Sequence, residues 1–227
     1  RVRWQLVVIE LRTIVLAVAV LGIVLSGSGS SATEGGPAGV SNWAALPPPD
    51  QSDWSAKRIA KYAELKGIDL GQPRAILSVP SLRLAVPIYP DSDPKALDAG
   101  AVWVRGTAAP GADGNIAIAG HRDSFFRPLE DVPLGTRIYL NAPKFAQAFR
   151  VVSVEIVDAL DVTPLANADE AILTLITCYP FRYKGYAPDR YIVRAELIEE
   201  EASAIRTGQV GQPQSPAVNI NKNGVTP

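Results

Sequence analysis

Reactive side chains are scarce in this 227-residue chain, which has one cysteine, Cys178, and one histidine, His121. A single thiol rules out an internal disulfide and a multi-thiolate metal site within the chain. If a thiol and an imidazole react together here, the pair is already identified. Cys178 ends the apolar run AILTLITC (171–178) and precedes Tyr179-Pro180. His121 follows the apolar residues of GNIAIAGHRD (114–123), and Arg190 opens RYIVRAEL (190–197). Together the three suit acyl transfer. A thiolate attacks a carbonyl, a protonated imidazole gives the leaving amine its proton, and a guanidinium holds the developing oxyanion. Arginine stays charged and donates in a rigid fork, which fits the last role. Each residue also has a plainer reading. A lone cysteine usually behaves as a small buried hydrophobe, a lone histidine as a loop or satisfied core residue, and Arg190 could pair with Asp189 or Glu196.

Strands must position these groups. AILSV (75–79), RLAVPIY (83–89), GNIAIAG (114–120), TRIYLNA (136–142), QAFRVVSVEIVDA (147–159), AILTLITC (171–178) and RYIVRAELIE (190–199) are short and rich in Val, Ile and aromatics. Pro, Gly and Asp clusters separate them. Seven or eight such strands predict an all-β, β-rich barrel or sandwich. Period two places Thr174, Ile176 and Cys178 on one face, Ala117, Ala119 and His121 on another, and Arg190, Ile192 and Arg194 opposite the apolar Tyr191, Val193, Ala195 and Leu197. Small alanines beside His121 leave room for a substrate backbone. A helix is expected over about 54–66, capped by Ser52 or Asp53, with Gly67 as its stop. Short helical turns are expected at Asp93–Ala99 and Phe125–Leu129.

TLITC (174–178), Arg190 on the following strand and IAGHRD (118–123) upstream resemble the signature of sortases, which are cysteine transpeptidases. YPDSDPKALDAGAVWVRGTAAPGADGNIAIAGHRD and TCYPFRYKGYAPDRYIVRA are most similar to class D sortases of Gram-negative bacteria. The resemblance spans about Ala75 to Leu197. It implies a closed eight-stranded β-barrel with His121, Cys178 and Arg190 as catalytic residues. It further implies cleavage of a C-terminal Leu-Pro-x-Thr-(Gly/Ala)-like sorting signal after Thr, through a thioester on Cys178, and transfer to an amine. Ala119, Thr174 and Ile176 match positions lining the family's substrate groove. Thr177 would order Arg190 or the substrate, and the loop Leu160–Glu170 would shape the pocket for the Leu-Pro of the signal. The implied partners are surface proteins carrying such a signal, and an amine acceptor such as a cell-wall peptide or a pilin lysine. No cofactor is expected. Some sortases bind calcium through acidic loops, but Asp91 and Asp93 form no matching cluster, so no metal is expected. An L,D-transpeptidase fits poorly, because Cys178 lies between Thr177 and Tyr-Pro-Phe rather than in a Gly-Cys-x-Arg run. A non-enzymatic membrane-tethered β-domain is the other alternative.

Outside the strands, Thr13–Leu25 is uncharged and almost wholly apolar, and reaches bilayer length (~20 residues) only with Leu6–Leu11 included. Arg1, Arg3 and Arg12 lie before or within it, and the next basic residue is Lys57. That asymmetry predicts a cytoplasmic N-terminus and a domain outside the cell membrane. Residues 1–25 are read as a membrane anchor in preference to a cleavable signal peptide. Residues 26–53, rich in Gly, Ser, Ala and Pro, read as a flexible linker, 54–200 as the catalytic domain, and 201–227 as a disordered tail. The net charge is −1 with both signs dispersed, so nucleic acid is excluded as a partner.

Overall fold

The computed structural model describes residues 46–90 and 95–199. The expected anchor at 1–25, most of the linker, Asp91 and Asp93, and the tail from 201 lie outside the described residues. No described helix is long and apolar enough to cross a membrane.

Runs of β-branched and aromatic residues become strands wherever Pro, Gly or Asp bounds them. They are β1 (Ala75–Val79), β2 (Leu84–Pro90), β3 (Ala101–Trp103), β4 (Asn115–Ala119), β5 (Arg137–Ala142), β6 (Phe145–Asp158), β7 (Ile172–Tyr179) and β8 (Asp189–Leu197). They close into a barrel in the order β1-β2-β3-β4-β7-β8-β6-β5. Of barrel and sandwich, the barrel forms, as the resemblance implies. Most neighbours are antiparallel, but β2–β3 and β4–β7 run parallel. Ile116, Ile118, Leu173, Leu175, Val193 and Ala195 fill the core under β4, β7 and β8. β3 was not expected: its three residues are too few to show alternation.

Among the described residues two short α-helices flank the barrel, α1 (Ala56–Glu64) and α2 (Ala96–Ala99). The α1 helix is shorter than the expected 54–66, and its cap is Ser55 rather than Ser52 or Asp53. The Ser55 hydroxyl accepts from the Arg58 amide at 3.3 Å, satisfying one of the free N–H groups of the first turn. Trp54 and Tyr62 then dock on Phe125, with ring centroids 4.7 and 6.0 Å from it. The turn expected at Phe125–Leu129 is a 3-10 turn at Arg127–Asp131. Pro47–Pro49, at the end of the expected linker, line hollows with Ala85 and Phe125, so that stretch is laid against the domain.

Candidate active site

The three reactive groups stand at the ends of three adjacent strands. In the antiparallel β7–β8 ladder Cys178 lies directly opposite Arg190, a relation that brings side chains within ~5 Å at Cβ. In the parallel β4–β7 ladder Ala119 is level with Ile176. The ladder carries on past the strand end, because the Gly120 amide donates to the Ile176 carbonyl at 3.0 Å. The Thr177 hydroxyl donates to the Gly120 carbonyl at 2.7 Å. His121 and Cys178 each follow the last registered pair, Ala119 and Ile176, by two residues, so the two side chains leave neighbouring strand ends on the same side. The thiol is free, and all three residues are partly exposed.

Gly120 is the residue that lets β4 end this way. A Cβ there would sit 2.6 Å from the ring of Phe126, which is fully buried. The amides of Ser124 and Phe126 both donate back to the His121 carbonyl, at 3.3 and 3.2 Å. The imidazole is therefore presented from a tight turn folded over an aromatic floor.

Arg190 does not take up the carboxylate pairing that its neighbours offer in sequence. Its Nη1 donates to the carbonyl of Asp189 at 2.9 Å and more distantly to that of Ala187 at 3.5 Å. These neutral acceptors are individually modest partners, so the guanidinium can exchange them for a developing oxyanion.

The four expected substrate-binding residues separate into two kinds. Ala119 and Ile176 are partly exposed on the side of β4 and β7 that carries His121 and Cys178. Thr174 is fully buried. Its hydroxyl donates to Asn115 Oδ1 at 2.7 Å, and Asn115 Nδ2 donates to the carbonyls of Pro164 and Ala166 at 2.8 and 2.9 Å. Thr174 thus braces the Leu160–Glu170 loop from below. Thr177 is also buried, and its bond is to Gly120 rather than to Arg190.

The surroundings of His121 were not foreseen. Nε2 lies 3.3 Å from Oδ1 of Asp98, on α2. The same oxygen accepts from Arg58 Nη1 at 2.6 Å, and Arg58 Nε donates to Asp123 Oδ1 at 2.9 Å. The other Asp123 oxygen accepts from the Ser55 hydroxyl at 2.8 Å. Asp123 was visible within GHRD, but Asp98 and Arg58 reach the site from separate elements and left no local signal. Arg122, also in that motif, donates to the Tyr183 and Gly185 carbonyls at 3.0 Å each and pins the β7–β8 loop beside the site.

Burial pushes the His121 pKa down to about 4, and the Arg58 charge adds to this, while Asp98 and Asp123 oppose it. Burial alone would raise the Asp123 carboxyl, but hydrogen bonds from Arg58 and Ser55 outweigh it and the net direction is down. Both groups link stability to pH in the same sense. Between the ordinary histidine value of 6.5 and about 4, the unfolded chain takes up a proton that the folded chain refuses. Stability is therefore expected to be complete above 6.5 and to fall as pH drops towards 4. Asp123 adds a further loss below its ordinary 3.8. Urea midpoints measured from pH 7.5 to 4 check this, and a midpoint flat or rising across that range would contradict it.

Comparison with known proteins agrees with this geometry. The Sortase domain family model matches residues 77–198, more than half of the chain. The chain is 34% identical over 133 residues to Sortase D of Bacillus subtilis, covering 57% of this chain and 66% of that protein, a little under two thirds of its length. It is 31% identical to Sortase A of Bacillus anthracis, covering 62% of this chain and 68% of that one. Among solved structures, a Clostridium perfringens Sortase D5 transpeptidase superposes with a TM-score of 0.51 at 25% identity, over 64% of this chain and 90% of that one. Strand order, site register and these likenesses converge: the chain belongs to the sortase family, whose members are cysteine transpeptidases, and within it resembles class D.

Proposed function

We propose that this chain cleaves a C-terminal Leu-Pro-x-Thr-(Gly/Ala)-like sorting signal after Thr, holds the acyl group on Cys178, and transfers it to an amine. The observation that carries the reading is the cross-strand pairing of Cys178 with Arg190, beside the parallel β4–β7 ladder whose last pair, Ala119 with Ile176, stands two residues before His121 and Cys178.

A carboxylate can only accept, so the proton of a neutral His121 sits on Nε2 facing Asp98, and Nδ1 is left to accept. Nδ1 takes the Cys178 proton as sulfur attacks the Thr carbonyl carbon. The oxyanion forms within reach of Arg190. The C–N bond then breaks, and the imidazolium returns the proton to the leaving amine. A thioester remains. An incoming amine attacks it and gives a proton to His121, and the thiolate departs and is reprotonated. Ala119 and Ile176 offer the extended substrate a shallow surface, while the loop braced by Asn115 and Thr174 borders it.

The substrates in this reading are surface proteins bearing the signal, and the acceptor is a cell-wall peptide or pilin lysine. A signal peptide incubated with a primary amine should yield a product carrying that amine, and hydroxylamine should yield the hydroxamate. Water as the sole acceptor, whatever amine is supplied, would make the protein a thiol peptidase. No cleavage of any such peptide would remove the reading altogether.

The apolar, Arg-flanked segment at 1–25 supports placing the domain outside the cell membrane on a single-pass anchor. Protease added to the outer face of spheroplasts should then release the barrel by cutting between the anchor and Leu46. A barrel fully protected until lysis would contradict this placement.

A further inference from the structure

His121 is gripped by a charged cluster assembled from three separate elements. Facing it are Asp98 from α2, Arg58 from α1 and Asp123 from its own loop. The Cys178 thiol comes from β7, with Arg190 of β8 beyond it. A single oxygen, Asp98 Oδ1, lies 3.3 Å from the imidazole Nε2 and accepts from Arg58, while Nε of the guanidinium holds Asp123. The side chains of Arg58, Asp98 and His121 are each about one-fifth exposed, at 19%, 19% and 20%. Charges so shielded act on one another more strongly than surface pairs do.

The helix that brings Arg58 is itself clamped to the histidine loop. The Ser55 amide donates to the Asp123 carbonyl at 3.1 Å, and the Ser55 hydroxyl to its carboxylate. Trp54 and Tyr62 pack edge-on against Phe125. Lifting α1 would therefore withdraw Arg58 from the cluster and leave two carboxylates beside the imidazole.

We propose that Asp98 is the positioning residue for the His121 ring, and that Arg58 couples the ring to α1 so that docking of the helix sets the ring's orientation and charge. This rests on the reading of His121 as the acid/base of the reaction. With α1 docked, the guanidinium offsets both carboxylates and the ring stays neutral, with Nε2–H towards Asp98 and Nδ1 free. With Arg58 removed, the two carboxylates act on the ring unopposed and favour imidazolium. The helix lies directly after the segment that leads to the expected anchor, so tension or a partner on that segment would reach the imidazole through a single side chain.

His121 is the chain's only histidine, so one ring resonance reports the state of the site without assignment. The full-length chain, purified in detergent without a histidine tag and labelled with 13C at the histidine Cε1, is titrated by NMR. The acid limb of the kcat/KM profile is measured in parallel. Arg58→Met should raise the titration midpoint by about one unit or more. Asp98→Asn keeps an acceptor for Nε2 but loses the charge, and should lower the midpoint. Asp98→Ala should lower kcat on the order of tenfold to a hundredfold with KM near that of the wild type, as expected for a ring left unaligned. A purely structural cluster would move the first two variants together or not at all. Either result, or an Asp98→Ala that raises KM alone, overturns the proposal. If Arg58→Met does not fold, Arg58→Lys decides. A compact ammonium reaches one carboxylate rather than both, so the midpoint should rise part way, and an unmoved midpoint overturns the proposal. The NMR midpoints do not depend on turnover. Opposed shifts in a protein that cleaves no sorting peptide would keep the coupling and remove the transpeptidase reading. Unmoved midpoints in an active enzyme would do the reverse.

Discussion

Cys178→Ala is expected to abolish cleavage of a sorting peptide, a loss on the order of 10⁴-fold or more, the scale on which removal of a nucleophile acts in covalent acyl transfer. The chain has no second thiol to take its place. The fold should survive. Cys178 lies near the end of β7 and is partly exposed, so losing its sulfur opens no enclosed cavity, and the β7–β8 ladder runs through the backbone. A stability change within about 1 kcal/mol is expected. Urea unfolding paired with peptide turnover checks both halves. A folded variant that turns over peptide within tenfold of the wild type would show that the thiol is not the nucleophile.

Arg190→Ala is expected to lower kcat/KM about 10²–10³-fold, the usual effect of losing one oxyanion donor. Arg190→Lys should recover little of it. The guanidinium reaches the Asp189 carbonyl in the resting state and must present a planar fork to the reacting carbonyl, and an ammonium is a point charge without that fork. The loss should fall mainly on kcat, because the interaction strengthens only as charge develops. Steady-state kinetics of the two variants test this. A change confined to KM would assign Arg190 to substrate binding instead.

The placement of the reactive trio was legible because it depends on strand ends and register, which period two and turn residues specify locally. The seven strands marked by β-branched and aromatic runs all formed, with ends displaced by a residue or two. β3 escaped because Ala101–Trp103 joins the sheet through pairing with β2 and β4, a tertiary relation without a sequence period. Thr174 shows the limit of face arguments. Alternation put it beside Ile176 and Cys178, but it is fully buried and its hydroxyl is tied to Asn115. The helix cap was misplaced because Ser52, Asp53 and Ser55 are all competent, and Ser55 prevails by also bonding Asp123. Asp98 and Arg58 were illegible for the same reason: their roles come from the docking of α1 and α2 on the barrel, not from neighbours in sequence.

Covalent catalysis on Cys178 is the central claim, and intact-protein mass spectrometry after brief incubation with a sorting peptide tests it most directly. The expected result is an added mass equal to the peptide's N-terminal acyl portion ending in Thr. It should map to Cys178, be absent in Cys178→Ala, and disappear when a primary amine is added. Cleavage of the peptide with no adduct, and no hydroxamate on trapping with hydroxylamine, would contradict it.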